Sequence, residues 1–436
     1  MYAPYDVVSR WSTREAWLDN PRLAAPEWSE VLTGKHEPRT LIVEPSQFRK
    51  IVARPQNFNF TVINTSKVID WTYDDFPSEL SLSITAHFPG QSPLVQISWL
   101  RPDGKQVLLI SESIESRSRD TPRIYHISSR DEIIDNIRGW LLQLNVTDPA
   151  TTASAFIQPE RVLFAQADSQ MVSGRTANLL KGRYQLVIQY TGFSREDDMN
   201  ARFHVYGTVF GIAGTDDQRR DLLTGLLWGA PVALAFGTAA AVVIVLVQTV
   251  LGALSGWYGG PIDEFVQRAA DFYLIIPTLP ILIMIALFYR PGIVAILFVL
   301  VAFGIVGSTT KVVRSIVLQI KEEQFIEAAQ SYGASRARIL FKYIMPRVMP
   351  YTFALVALSV PAFIFVEASL SFLGLGDPIL PTWGSILGEA YTSGALFYGL
   401  WWWIAFPAGG ILYTTIGFAL LGYAFDKVLN PRLREE

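Results

Sequence analysis

Two hydrophobic rhythms divide the chain. From about residue 222 onward, five long apolar runs follow one another, at roughly 226–254, 272–289, 291–310, 351–373 and 399–422. A helix needs about 20 apolar residues to cross the hydrocarbon layer of a membrane, so each run predicts a spanning helix. Pro277 and Pro280 predict a kink in the second run. Trp401, Trp402 and Trp403 open the fifth, at the place of an interfacial aromatic belt. Residues 1–205 hold no run of that length and predict a β-rich domain. ELSLSITAHF (79–88) alternates strictly, with Leu80, Leu82, Ile84, Ala86 and Phe88 on one face. LVQISWL and QVLLIS flank the turn RPDGK and predict a hairpin. GRYQLVIQY (182–190) and ARFHVYG (201–207) are further strands. One helix is expected in SSRDEIIDNIRGWLLQLN, capped by Ser128 or Ser129, with Ile133, Ile134, Ile137, Trp140, Leu141 and Leu144 on one side. The expected architecture is a β-rich, sandwich-like domain over 1–205 and an α-helical polytopic membrane domain of about five helices over 206–436.

Composition agrees with one soluble and one membrane part: half of the 436 residues are apolar and mean hydropathy is +0.27. Net charge is −3 and each half is nearly neutral, which does not suggest nucleic acid as a partner. The absence of cysteine excludes disulfides, thiolate metal sites and a cysteine nucleophile. MYAPYDVVSR reads without the basic and apolar regions of a signal peptide. Lys311, Arg314, Lys321, Arg336, Arg338, Lys342 and Arg347 crowd the 311–350 connection, and Lys427, Arg432 and Arg434 the C-terminus, whereas 374–398 has no basic residue. The positive-inside bias therefore puts the 311–350 loop and the C-terminus in the cytoplasm and the β-rich domain outside.

The charged segment QFIEAAQSYGASRARILFKYIMPRVMP (324–350) lies between two apolar runs. Residues 316–330 read as one helix, Gly333 interrupts, a second helix starts near Ser335, and Pro346 and Pro350 mark its end. Small side chains at Ala328, Ala329 and Gly333 allow close approach by another protein, with Glu327 and nearby basic residues fixing register.

EAAQSYGASRARILFKYIMP resembles the EAA motif of ABC-importer permeases, in which EAA–x3–G is followed by a hydrophobic–Pro ending. Glu327, Ala328, Ala329 and Gly333 match the motif and Ile344, Met345 and Pro346 its ending. The resemblance implies that the loop of about 315–350 is a coupling helix held by an ATPase subunit. GTDDQRRDLLTGLLWGAPVAL, GWYGGPIDEFVQRAADFYLIIPTLP, EASLSFLGLGDPILPTWGSIL and the closing LNPRLR resemble the second-permease type of the dipeptide/oligopeptide/nickel branch, over about 206–434. It implies a second homologous permease, two ATPase subunits, an extracytoplasmic solute-binding protein and membrane lipid as partners, and a solute of the peptide class, although nickel and sugar importers share the pattern. It implies no cofactor in this chain, ATP being bound by partner subunits, and no G-x-x-x-x-G-K-[ST] loop occurs in the sequence. Three departures stand out. Arg219 replaces the family's glycine in the GTD segment; about 180 residues occupy a usually short external loop; and APYD (3–6) resembles the segment just after the family's first transmembrane helix, so a start placed too late is favoured over a five-span chain.

Other residues have plainer readings beside sharper ones. Glu367 lies in an apolar run, where a carboxylate needs a partner, and reads as a buried hydrogen-bonded group before a gating or path residue. Gly374 and Gly376, with Pro378 and Pro381, read as a turn of the outer loop before a gate. Pro261, Asp263 and Glu264 read as a helix start, with Arg268 and Asp271 near the inner face. His36, His87, His126 and His204 lack ligand spacing, so no metal site is expected. Gly225/Gly229 and Gly252/Gly256 have the small-xxx-small spacing of helix contacts with a partner permease. The alternative function is a membrane receptor or regulator that uses the β domain for ligand recognition; it lacks a cytoplasmic signalling domain. A membrane enzyme lacks a nucleophile–base set.

Overall fold

The computed structural model describes residues 9–56, 59–115, 120–145, 149–172, 176–289, 292–376 and 380–429. The chain forms two compact units, one of residues 14–221 and one of 1–13 with 222–436. The sequence motifs at 3–6 and 430–434, with Pro378, lie outside the described residues.

Among the described residues the first unit has nine strands: β1 (Leu41–Val43), β2 (Arg49–Ala53), β3 (Thr61–Trp71), β4 (Glu79–His87), β5 (Leu94–Leu100), β6 (Gln106–Ser113), β7 (Arg123–His126), β8 (Gly182–Gly192) and β9 (Asp198–Tyr206). All pairings are antiparallel, in a four-stranded sheet β1-β9-β4-β7 and a five-stranded sheet β2-β3-β8-β5-β6. Alternation decides the faces. Leu80, Leu82, Ile84 and Ala86 of β4 and Phe203 and Val205 of β9 share one core with Ile97 and Trp99 of β5 and Tyr184, Leu186 and Ile188 of β8. The β5–β6 hairpin closes as expected, Gly104 taking φ +78° and Arg101 N–H donating to the Lys105 carbonyl at 3.0 Å. Helix α1 (Asp131–Leu144) buries Ile133, Ile137 and Leu141 in the same core. Its N-cap is not a serine: Arg130 holds that place without a side-chain cap, and the Ser128 hydroxyl instead accepts from Leu80 N–H at 2.9 Å. Asp131 and Glu132 supply the favourable charge in the first turn.

The turn before residue 222 explains one departure from the family pattern. Arg219 has φ +67°, the left-handed region that a glycine enters freely. Three contacts hold the arginine there. Its guanidinium donates to the Asn20 carbonyl at 2.8 Å, pairs with Glu79, and lies 4.2 Å from the centre of the Tyr206 ring. Nearby, burial depresses the pKa of His204, against the raising effect of its 3.1 Å contact with Asp19. Burial raises Asp19, but hydrogen bonds from Arg202 and His204 outweigh it, and its net shift is downward.

The second unit is helical: α2 (Leu222–Tyr258), α3 (Gly260–Ile275), α4 (Thr278–Tyr289), α5 (Ile293–Gly304), α6 (Ser308–Lys321), α7 (Gln324–Ser331), α8 (Arg336–Ile339), a π turn over Leu340–Ile344, α9 (Met345–Phe372), α10 (Trp383–Thr392) and α11 (Trp401–Leu429). Among the described residues three helices are long and apolar enough to cross a membrane, or up to five if each of two bent pairs is one span. The bend of 74° between α3 and α4 falls at Ile276–Pro277, where the prolines predicted a kink. The third run is also broken, by 41° between α5 and α6, and Gln248 Nε2 meets the Gly304 carbonyl there at 2.7 Å. Trp402 and Trp403 are buried and only Trp401 is exposed, so the tryptophan triplet is mainly a packing feature rather than a belt. Gly252 and Gly256 face this chain's own α6: a Cβ at Gly252 would stand 2.5 Å from the Thr310 carbonyl oxygen, and one at Gly256 3.0 Å from that of Arg314. Gly225 and Gly229 are likewise taken up within the unit, by Trp11 and Trp383, which removes the basis for reading these pairs as partner contacts.

The first unit can be tested at two places. Arg219→Ala loses the three contacts and keeps the left-handed backbone, whereas Arg219→Gly loses only the contacts; both should destabilise, alanine more than glycine by about 1 kcal/mol, read by thermal unfolding of the purified chain. His204 and Asp19 both have folded pKa values below their unfolded ones, so their stability contribution is full above the unfolded values and is lost as pH falls through the folded ones. Unfolding followed by tryptophan fluorescence should therefore move to lower temperature from pH 7 towards pH 5, less so in His204→Gln; an unchanged slope contradicts the assignment.

Candidate functional site

The 324–350 segment rests on one apolar cluster: Ala253 and Trp257 from α2, Val313 and Val317 from α6, Ile326 and Ala329 from α7, Ile339, Leu340, Ile344 and Val348. This cluster explains why 316–330 is not the single helix expected. At 100° per residue, an unbroken helix would put Ile326 about 180° from Val317, facing away from the cluster. The break at Glu322–Glu323, where Glu323 is extended (φ −75°, ψ 139°), returns Ile326 and Ala329 to it. The remaining face of α7 is exposed and carries Glu327 and Ala328.

Gly333 ends α7 with φ +76°. Its N–H donates to the Gln330 carbonyl at 2.9 Å and Ala334 N–H to that of Ala329 at 3.0 Å, which is a Schellman motif. A Cβ would meet nothing within 4 Å, so the glycine is required by backbone conformation and not by space. Ser335 then caps α8, its hydroxyl accepting from Arg338 N–H at 3.3 Å.

Pro346 and Pro350 do not end the second helix. From Arg336 to Phe372 the chain is one 37-residue span-length helix, with Pro346 in the first turn of α9 and Pro350 inside it. Pro346 has no N–H for the Lys342 carbonyl, and the π turn over Leu340–Ile344 widens the helix just before it.

Side-chain ties brace the segment. The Trp257 indole N–H donates to the Arg336 carbonyl at 3.0 Å. The Arg347 guanidinium lies 3.6 Å from the centre of the Phe325 ring. Pro261 and Asp263 stand in the first turn of α3, as the helix-start reading expects, and Asp263 also accepts from Arg314 at 2.6 and 2.5 Å and from the Ser255 hydroxyl at 2.5 Å, joining α2, α3 and α6. Asp271 pairs with Lys311, and Arg268 with Glu264 on its own helix.

The motif residues thus divide. Ala329 and Ile344 are buried in the supporting cluster and Met345 is half-buried, whereas Glu327, Ala328, Gly333 and Pro346 are exposed. Sequence reasoning passed over Tyr332, 92% exposed between α7 and the glycine, and Phe341, 60% exposed. It also missed Trp257, and read Arg347 only as a basic residue of the loop, because their contacts with Arg336 and Phe325 are ones that no local spacing signals. Glu367 lies elsewhere, buried in α9 with its Oε1 accepting from the Ser371 hydroxyl at 2.6 Å. Gly374 ends α9 as Gly333 ends α7, with φ +75° and Leu375 N–H donating to the Leu370 carbonyl at 2.9 Å. A Cβ on Gly376 would stand 2.2 Å from the Ser371 hydroxyl. Among the described residues no group of three or more His, Asp or Glu is placed to hold a metal ion, and His126 and His204 line one cleft of the first unit.

Residues 248–435 match the family described as binding-protein-dependent transport system inner membrane component. The chain is 36% identical over 223 residues to the oligopeptide transport system permease protein OppC of Bacillus subtilis, covering 51% of this chain and 72% of that protein. It is 34% identical over 222 residues to the dipeptide transport system permease protein DppC of the same organism, covering 51% and 68%. It is 31% identical over 222 residues to the glutathione transport system permease protein GsiD of Pectobacterium atrosepticum, covering 51% and 72%.

Substitution at Gly333 tests the loop geometry. Gly333→Ala should cost roughly 1 kcal/mol through the left-handed backbone, and Gly333→Asn less. Hydrogen exchange at Gly333 and Ala334 amides, faster in alanine than in asparagine, would report it.

Proposed function

This chain belongs to the family of binding-protein-dependent transport system inner membrane components, and on that premise we propose that it is the permease subunit of an ATP-driven importer for peptides. The peptide class rests on the named substrates of its relatives. A second permease completes the path with it, an extracytoplasmic binding protein delivers solute, and separate subunits hydrolyse ATP. The 14–221 unit, with the layering of a sandwich, stands outside the membrane; the 324–350 segment and the C-terminus face the cytoplasm, in keeping with the Lys/Arg bias.

The observation that carries this reading is the two-faced α7. Ile326 and Ala329 anchor it inward, leaving Glu327, Ala328 and Tyr332 outward on a braced platform. An ATPase subunit docked there meets a surface that does not need to fold on contact, so little of its binding energy goes into ordering. Displacement of the platform passes directly into α8 and α9, because Arg336–Phe372 is one helix. At 1.5 Å per residue that helix is roughly 55 Å long, well beyond the ~30 Å hydrocarbon layer, so it serves as a lever with one end outside the lipid. ATP binding shifts the transporter between its two accessible states only as far as the ATPases hold the platform differently in each. Glu367, Gly374 and Gly376 lie at the far end of the lever, where the outer gate would sit.

The experiment is co-purification of the tagged chain from solubilised native membranes, wild type beside Glu327→Arg and Tyr332→Ala. Wild type should bring down an ATPase and a second permease, and both variants should lose the ATPase while keeping the permease. Wild type that retains the permease but recovers no ATPase would overturn the coupling role.

A further inference from the structure

The four-stranded sheet of the first unit has a cleft of about 810 Å³ on its outer side. Such a volume is in the usual range for small-molecule sites. Its floor is the solvent-side row of β4 and β9: Ser81, Ser83, Thr85 and Asn200. None of these four side chains makes a hydrogen bond among the described residues, so a row of hydroxyls and one amide is left open to an occupant.

Four arginines and four carboxylates, Asp19, Glu44, Glu79 and Asp217, line the cleft, but they do not pair one to one. Arg202 donates to both oxygens of Asp19, at 2.9 and 3.1 Å, and to Glu44 at 2.8 Å, neutralising two carboxylates with one cation. Arg219 is paired with Glu79. Arg22 gives its Nε–H to the backbone carbonyl of Asp217 at 2.9 Å and has no carboxylate partner among the described residues. Arg14, also lining the cleft and exposed, has none either. An arginine fork is shaped to receive two oxygens of one carboxylate or phosphate. Two such groups without a carboxylate partner, beside unengaged hydroxyls, make an anion-receiving end and a hydrogen-bonding floor.

We propose that this cleft is a binding site for a small oxyanion-ended ligand, a carboxylate such as a short peptide's C-terminus or a phosphate, held by Arg14 and Arg22 over Ser81, Ser83, Thr85 and Asn200. The site lies wholly within residues 14–221, so it stands whatever the 324–350 segment docks with. It gives the β-rich unit a ligand of its own, apart from the translocation path.

The test is calorimetric titration of the full chain in lipid nanodiscs with trialanine, trialanine amide and inorganic phosphate. Saturable binding of trialanine, absent for the amide, identifies the carboxylate source; binding of phosphate alone identifies the phosphate source. Either should weaken about tenfold or more in Arg14→Ala/Arg22→Ala, a change confined to exposed side chains, and in Ser83→Leu, which fills the floor without touching a charge. Absence of saturable binding for all three probes, or binding that the arginine variant leaves unchanged while its thermal unfolding matches wild type, overturns the proposal.

Discussion

The apolar cluster between α2, α6, α7 and the start of α9 is the constraint on which the helical unit's exposed surface depends. A helix of eight residues has no stability of its own in water. α7 persists because Ile326 and Ala329 are buried, because Trp257 ties down the chain just beyond it, and because Arg347 covers Phe325. The Asp263–Arg314–Ser255 set fastens the helices beneath. The exposed face is then free to carry residues that contribute nothing to its folding, which is what the proposed docking role asks of a short helix.

Legibility in the sequence depends on how locally each feature is determined. The strands of β4, β5, β6, β8 and β9 were legible because alternation is a two-residue property that burial on one face enforces. The α3–α4 bend was legible because proline acts on its own backbone. The break at Glu322–Glu323 was not: no residue there forbids a helix, and only the shared cluster, built from residues up to ninety-five positions apart, makes the straight helix unfavourable. Pro346 misled for the opposite reason. Proline does remove one interior hydrogen bond and crowd the preceding turn, but Pro350 and Pro361 lie inside the same helix, and the π turn before Pro346 is a remedy that no local pattern announces.

Arg219 shows how a family pattern can be broken and its geometry kept. The left-handed turn remains, and the side chain that is sterically wrong for it gains Glu79, Asn20 and Tyr206 as partners from the β-rich unit. The same substitution in a chain without that unit would carry the strain with no compensation. The replacement and the large domain are thus physically linked.

The π turn sets an angular phase. It holds one more residue than an α turn would, so the two parts of the Arg336–Phe372 helix are offset by about 100°, one residue's rotation, relative to an unbroken α-helix. Deleting a single residue from 340–344 would convert the turn to α form and preserve the helix as an object. Both parts of the helix would then keep their present faces; straightening the turn to α form with all its residues kept would instead rotate the whole of α9 against α8 by about that 100°, and move the buried row of Val360, Ile364 and Glu367 off its present face. The form of this turn and its length are therefore tied to each other: five residues need the π form and one fewer needs the α form if both ends of the helix are to face their own neighbours.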